Sequence, residues 1–249
     1  MITIKSEREI ELISKSCSIL AEVKAVLYDF IRPGISLKEL DLIAFNEIIK
    51  RGAKPAFKGL YGFPATACIS VNQELIHGIP SNYIIKNGDI VKIDLGCDYK
   101  GYKSDSAFTK GVGNISETDK LIIDVAKRSF EAGLKAIKPG ARVGDISAAI
   151  GKVIRENNLY TPIEYCGHGI GKELHEDPYV YNDGKAGTGP LLKDGMVICI
   201  EPMILQDSPK VKVLKDKWTV VSRDGKNTSH YEHTVLIKNG KGIVLTKGI

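Results

Sequence analysis

Apolar residues recur at Ile10, Ile13, Cys17, Leu20 and Val23, one face of a 3.6-residue period, behind the capping box Ser6-Glu7-Arg8-Glu9. The pattern predicts a first helix to about Phe30, stopped by Pro33-Gly34. Ser36-Leu37-Lys38-Glu39 repeats the box and opens a second helix that Gly52 closes. Residues 53–65 read as a loop rich in Gly, Pro and aromatics. Ala67–Val71 reads as a short strand, followed by a loop holding His77. Asn87-Gly88 marks a turn before a strand at 89–95, and Ser104–Lys110 reads as its hairpin partner across a long connection. Ser116 caps a third helix through about Ile137, Pro139-Gly140 stops it, and a fourth covers roughly Val143–Asn157. A polar, Gly-rich loop carrying Cys166–Gly171 and His175 follows. Strands at about 196–202, 218–222, 232–238 and 242–246 complete the chain.

Helices precede strands, and the order occurs twice. That predicts an α+β fold with an antiparallel or mixed sheet rather than a β-α-β series. Two segment pairs reinforce the duplication. Lys86–Asp94 resembles Lys193–Glu201 at an offset of 107 residues, and Ile31–Leu40 resembles Ile137–Ile146 at 106. We therefore expect one catalytic domain over 1–249, with pseudo-equivalent halves of about 1–112 and 113–249. If the halves face each other, Asp94 and Glu201 meet at the centre, where opposed carboxylates need a counter-charge.

Bulk properties narrow the setting without defining it. The 43% apolar and 26% charged content is that of an ordinary globular protein of 249 residues. A net charge of +5 is too small an excess to argue for nucleic acid, and Lys210, Lys212, Lys215 and Lys217 read as a solvated loop. The five cysteines form no C-x-x-C pair and are odd in number, which argues against a disulfide framework or a zinc ribbon. No apolar run reaches membrane-spanning length, and the first residues carry no signal-peptide pattern. A cytoplasmic location is the expectation.

Four acids lie on or beside apolar strands: Asp94, Asp105, Glu201 and Glu232. Any one alone reads as a solvated turn residue. Together, with two at duplicated positions and His168 added, they form an oxygen-rich set without a thiolate. Four carboxylates balance two divalent cations, so a dinuclear centre fits better than a single ion. His77 and His175 have no metal-ligand spacing and read either as packing residues or as proton or hydrogen-bond donors beside the site. His230 and His233 flank Glu232; strand alternation points both away from it, so they read as structural or solvent-facing.

The motifs, in order, are His77-Gly78-Ile79-Pro80, Ile93-Asp94-Leu95-Gly96, Ser104–Thr109, Gly167-His168-Gly169-Ile170-Gly171, Leu174–Pro178, Ile200-Glu201-Pro202-Met203 and Tyr231-Glu232-His233-Thr234. This set resembles that of the methionine aminopeptidases over nearly the whole chain. The resemblance implies the "pita-bread" fold, two pseudo-symmetric α+β halves around a central dinuclear metal site. The short connection from His175 to Glu201 is similar to that of type I members.

Carried over, the resemblance implies that Asp105 and Glu232 bridge two divalent metals (Co, Mn, Fe or Zn). Asp94 would bind one, and His168 and Glu201 the other. A water or hydroxide between them would be the nucleophile, with Glu201 as its proton shuttle. His175 would hydrogen-bond the substrate carbonyl or oxyanion, and His77 would sit near the scissile nitrogen. Phe57, Phe63, Cys68, Leu174 and Trp218 fall where the family's methionine pocket lies. Leu60 and Leu174 depart from the aromatic residues of many members. The implied activity is removal of the initiator methionine when the second residue is small. The implied partners are nascent polypeptide N-termini at the ribosome after deformylation, with no membrane, no direct nucleic-acid contact and a monomeric enzyme. Two rivals stay open: a prolidase-like specificity on the same fold, and a non-catalytic binding protein of that fold.

Overall fold

Ser6 and Ser36 each accept from the backbone N–H three residues on, and Glu9 and Glu39 reach back to the cap backbone. These boxes set the starts of α1 (Glu7–Phe30) and α2 (Leu37–Lys50), each cap contributing about 1 kcal/mol. The computed structural model describes residues 1–248. α1 buries Leu20, Val23 and Leu27 and α2 buries Leu40, Ala44 and Ile48 in one core with Ile69, Val91 and Ile93. Those last residues belong to β1 (Ala67–Val71) and β2 (Ile90–Tyr99), and β2 also pairs with β3 (Tyr102–Gly111).

The second half repeats the scheme. α3 (Glu117–Lys135) and α4 (Val143–Glu156) bury Ile122, Phe130, Ile146 and Ile150 with Ile198, Ile200 and Val235. The sheet beneath them comprises β4 (Gly167–Gly169), β5 (Glu176–Val180), β6 (Val197–Ile200), β7 (His233–Lys238) and β8 (Lys241–Val244). Its order is β8-β7-β6-β4-β5, and every strand pair in both sheets is antiparallel. The α+β expectation and the pita-bread architecture hold. Among the described residues no helix is long and apolar enough to cross a membrane.

Two local expectations are corrected. β2 and β3 are joined by the two residues Lys100-Gly101 rather than by a long connection. Both have positive φ (52° and 86°), the backbone of a type I′ hairpin turn, so the strands pair out to Tyr99↔Tyr102. His168 lies on a strand, not in a glycine loop. The flanking glycines allow backbone to approach from both sides: a Cβ at Gly167 would lie 2.3 Å from the Cys199 carbonyl oxygen, and one at Gly169 2.0 Å from that of Asp177.

The two halves join along a seam. Glu232 N–H donates to the Ala107 carbonyl at 2.9 Å, and Ala107 N–H returns the bond at 3.3 Å. The hydroxyl of Thr234 accepts from Asp105 N–H and donates to the Asp105 carbonyl at 2.7 Å. Ser106 Oγ donates to the Glu232 carbonyl, also at 2.7 Å. Backbone pairing across this seam brings acids from both halves to the centre.

Candidate metal centre

Strand register places each acid. Asp94 faces Ala107 across the β2–β3 pair, and Asp105 lies two residues from Ala107, so both carboxyls project from one face as diagonal neighbours. In the other half His233 pairs with Ile200, which sets Glu232 opposite Glu201 at the strand ends. His168 enters from β4. Its Nδ1 is 2.9 Å from the Gly169 carbonyl, which takes the ring proton and leaves Nε2 free. That nitrogen lies 3.5 Å from Glu201 Oε1 and 3.8 Å from Asp105 Oδ2.

All five residues line one cleft of about 130 Å³ that opens to solvent. Potential ligand atoms of Asp105, His168, Cys199 and Glu232 lie within 4.8 Å of one another. Cys199 belongs to the core and its thiol contacts Thr234 Oγ1 at 3.8 Å. Burial and the neighbouring acids push that thiol well above its usual range. Sequence reasoning did not place it near the site; its position in the apolar run before Glu201 was the available signal.

The electrostatics of the cluster suit cations. Burial, reinforced by Glu232, Asp94 and Glu201, pushes the Asp105 carboxyl well above the ordinary carboxylate range. Glu232 is driven up by burial and then by Glu201 and Asp94, and Glu201 by burial and Asp94. Asp94 is raised by burial. One oxygen each of Asp94, Asp105 and Glu232 is buried without any hydrogen-bond partner. Buried, unpartnered carboxylate oxygens converging on one point cost several kcal/mol unless a cation compensates them. Burial depresses His168 to about 3, so its imidazole is a neutral ligand. The donor set fits divalent metal ions.

One wall of the cleft is apolar. Phe57, Leu60, Phe63, Cys68, Leu174 and Trp218 line it, with Phe63 and Trp218 edge to face at 5.1 Å. His77 and His175 line the same cleft. Burial, then His230 and His175, lowers His77 to about 4. The cleft thus gathers every residue that the motifs pointed to, and adds Tyr61, whose ring stacks on His175 at 6.2 Å and 6°.

His230 departs from expectation. It is 1% exposed, not solvent-facing, and its Nε2 lies 3.5 Å from Glu201 Oε2. The expectation that it points away from the acids fails because residues two apart on an extended segment share a face, so His230 lies on the same side as Glu232 and beside Glu201. His233 is structural as expected, with Nδ1 2.8 Å from Thr246 Oγ1 and Nε2 3.0 Å from the Tyr231 hydroxyl.

The model of metallopeptidase family M24 matches residues 11–239. A methionine aminopeptidase of Clostridium perfringens is 48% identical over 98% of each chain. Methionine aminopeptidase 1 of Bacillus subtilis is 46% identical, covering 99% of this chain and all of its own. The crystal structure of methionine aminopeptidase from Thermotoga maritima superposes with a TM-score of 0.97 at 39% identity, over 99% of this chain and 100% of that one. Prolidase from Pyrococcus furiosus matches at a TM-score of 0.80 and 29% identity, with 66% of its chain covered.

Proposed function

The chain belongs to metallopeptidase family M24, and from that premise we propose that it removes the initiator methionine from proteins and peptides whose second residue is small. It is a metal-dependent aminopeptidase, a hydrolase that acts on free N-termini. The observation that carries this reading is the convergence of four buried carboxyls and a neutral imidazole beside an apolar slot.

Asp94, Asp105, His168, Glu201 and Glu232 would hold the metal. Four carboxylates would balance two divalent ions, drawn from Mn, Fe, Co or Zn, with Asp105 and Glu232 at the heart of the donor set. Bound there, the ions supply Lewis acidity and a water that is nucleophilic at neutral pH.

The protein's own groups do the rest. Phe57, Phe63, Cys68, Leu174 and Trp218 exclude water from the methionine side chain and orient the N-terminal residue. A free α-amino group reaches the centre, whereas a formylated one has lost its lone pair to the amide, so deformylation comes first. Glu201 takes a proton from the attacking water and delivers it to the leaving nitrogen. His175 donates a hydrogen bond to the developing oxyanion, and His77 stands by the leaving amine. The whole chain acts as one catalytic unit of two halves, as a monomer in the cytoplasm, on nascent chains at the ribosome.

The test is substrate choice by Mn(II)-loaded protein. Methionine release from Met-Ala-Ser, with formyl-Met-Ala-Ser and Ala-Pro untouched, is expected. Cleavage of Ala-Pro alone would establish the prolidase-like alternative. Inertness of folded, loaded protein toward all three would favour a binding protein.

A further inference from the structure

His230 is a buried polar side chain with no satisfied nitrogen. It is 1% exposed, and both Nδ1 and Nε2 lack a hydrogen-bond partner. A neutral imidazole always carries one N–H, and leaving a buried donor unpaired is destabilising. The contrast with His233, three residues on, is direct, since both of its nitrogens are paired. Around His230 the backbone is pinned: its N–H donates to Thr109 Oγ1 at 3.0 Å, and its carbonyl accepts from the same hydroxyl at 2.8 Å. His230 also pairs with Met203 across a short two-stranded ladder. The backbone is therefore held in place, and from it Nε2 reaches to 3.5 Å from Glu201 Oε2. That separation is the outer limit of a hydrogen bond, and such contacts in ligand-free active sites tighten when the site is loaded.

The two oxygens of Glu201 are thus divided between two imidazoles. Oε1 faces His168 Nε2, itself 3.5 Å away, and Oε2 faces His230. A carboxylate that both holds an ion and moves a proton must keep its two oxygens in separate roles. Outer hydrogen-bond donors supply that kind of orientation.

We propose that His230 is a positioning residue whose Nε2–H donates to Glu201 Oε2, fixing the carboxylate so that Oε1 stays on the His168 side. The inference rests on the aminopeptidase reading for its kinetic arm and on the geometry alone for its binding arm. It requires a neutral N–H donor at the Nε2 position and nothing else of the ring.

Three variants separate that donor from packing. The glutamine amide nitrogen sits as many bonds from Cα as imidazole Nε2, and the asparagine amide nitrogen as many as Nδ1. His230→Leu should lower kcat for Met-Ala-Ser about tenfold with KM within about twofold, and weaken Mn(II) binding by calorimetry about tenfold. His230→Gln should recover both to within about threefold, and His230→Asn should not. If His230→Leu fails to fold, as judged by its thermal melt, the Gln and Asn pair decides. Equal behaviour of Gln and Asn, or a leucine variant with unchanged kcat and Mn(II) affinity, would overturn the proposal. Active wild type with an unaffected leucine variant refutes only this inference; inactive wild type refutes the aminopeptidase reading, while the Mn(II) arm still decides the role of His230.

Discussion

His168 and His175 meet edge to face, with ring centroids 4.5 Å apart and planes at 83°. Seven positions separate them in sequence, and the turn between β4 and β5, with Gly169 opposite Glu176, folds them together. His168 keeps Nε2 for the acid cluster, whereas His175 is exposed to the cleft. Burial lowers the pKa of both, so both are neutral at pH 7 and His175 offers an N–H rather than a charge.

The pair predicts separable phenotypes. His175→Ala should lower kcat by about 100-fold or more, the usual loss for an oxyanion donor, while Mn(II) affinity stays within a few-fold. His168→Ala should weaken Mn(II) binding itself. Calorimetry beside steady-state kinetics distinguishes the two; equal loss of metal by both variants would contradict the assignment.

Metal binding should release protons. Folded pKa values of Asp94, Asp105, Glu201 and Glu232 are raised by burial and mutual repulsion, so the metal-free site carries protons that the loaded site cannot. His168, depressed to about 3, brings none to the exchange above pH 5. More protons bound in the free state means that apparent affinity rises with pH. Mn(II) titrations between pH 6 and 8, in two buffers of different ionisation enthalpy, should show tighter binding at higher pH and net proton release. Binding that is flat with pH and releases no proton would contradict this picture.

Thr234 should matter for stability and for the site together. Its hydroxyl is paired with both backbone groups of Asp105, at 3.1 and 2.7 Å, and is fully buried. Thr234→Val keeps the shape and orphans those groups. Urea unfolding of metal-free protein should show a loss of about 1–3 kcal/mol, with weaker Mn(II) binding as Asp105 is released. Unchanged unfolding would show that the seam bond contributes little.

The apolar wall sets side-chain preference. Leu174→Ala and Trp218→Ala each remove surface that would touch the methionine side chain. Each should reduce kcat/KM for Met-Ala-Ser by about 10-fold to 100-fold, and norleucine in place of methionine should remain a substrate, since the slot is apolar. Full activity in both alanine variants would move the pocket elsewhere.

Much of this was legible in the chain because it is written in local chemistry. The capping boxes at Ser6 and Ser36 fall at the helix starts found. The acids at the ends of apolar strands converge because strand register carries them to one face. What escaped depends on neighbours remote in sequence. Gly167 and Gly169 look like loop residues, yet they are strand glycines because the backbones of Cys199 and Asp177 press against them. Thr234 and Cys199 read as ordinary strand residues; only pairing between the halves sets them against Asp105. The expectation that His230 points away from the acids was a misreading; two residues from Glu232 it shares that face, and its ring lies beside Glu201.

The most direct measurement is methionine release from Met-Ala-Ser by metal-stripped protein, titrated with Mn(II), beside an Asp105→Ala variant of matched thermal melting. Release that appears with Mn(II) in the wild type and is absent at every concentration in the variant is the predicted result. Release without metal, or undiminished release by the variant, would contradict a metal centre built on Asp105.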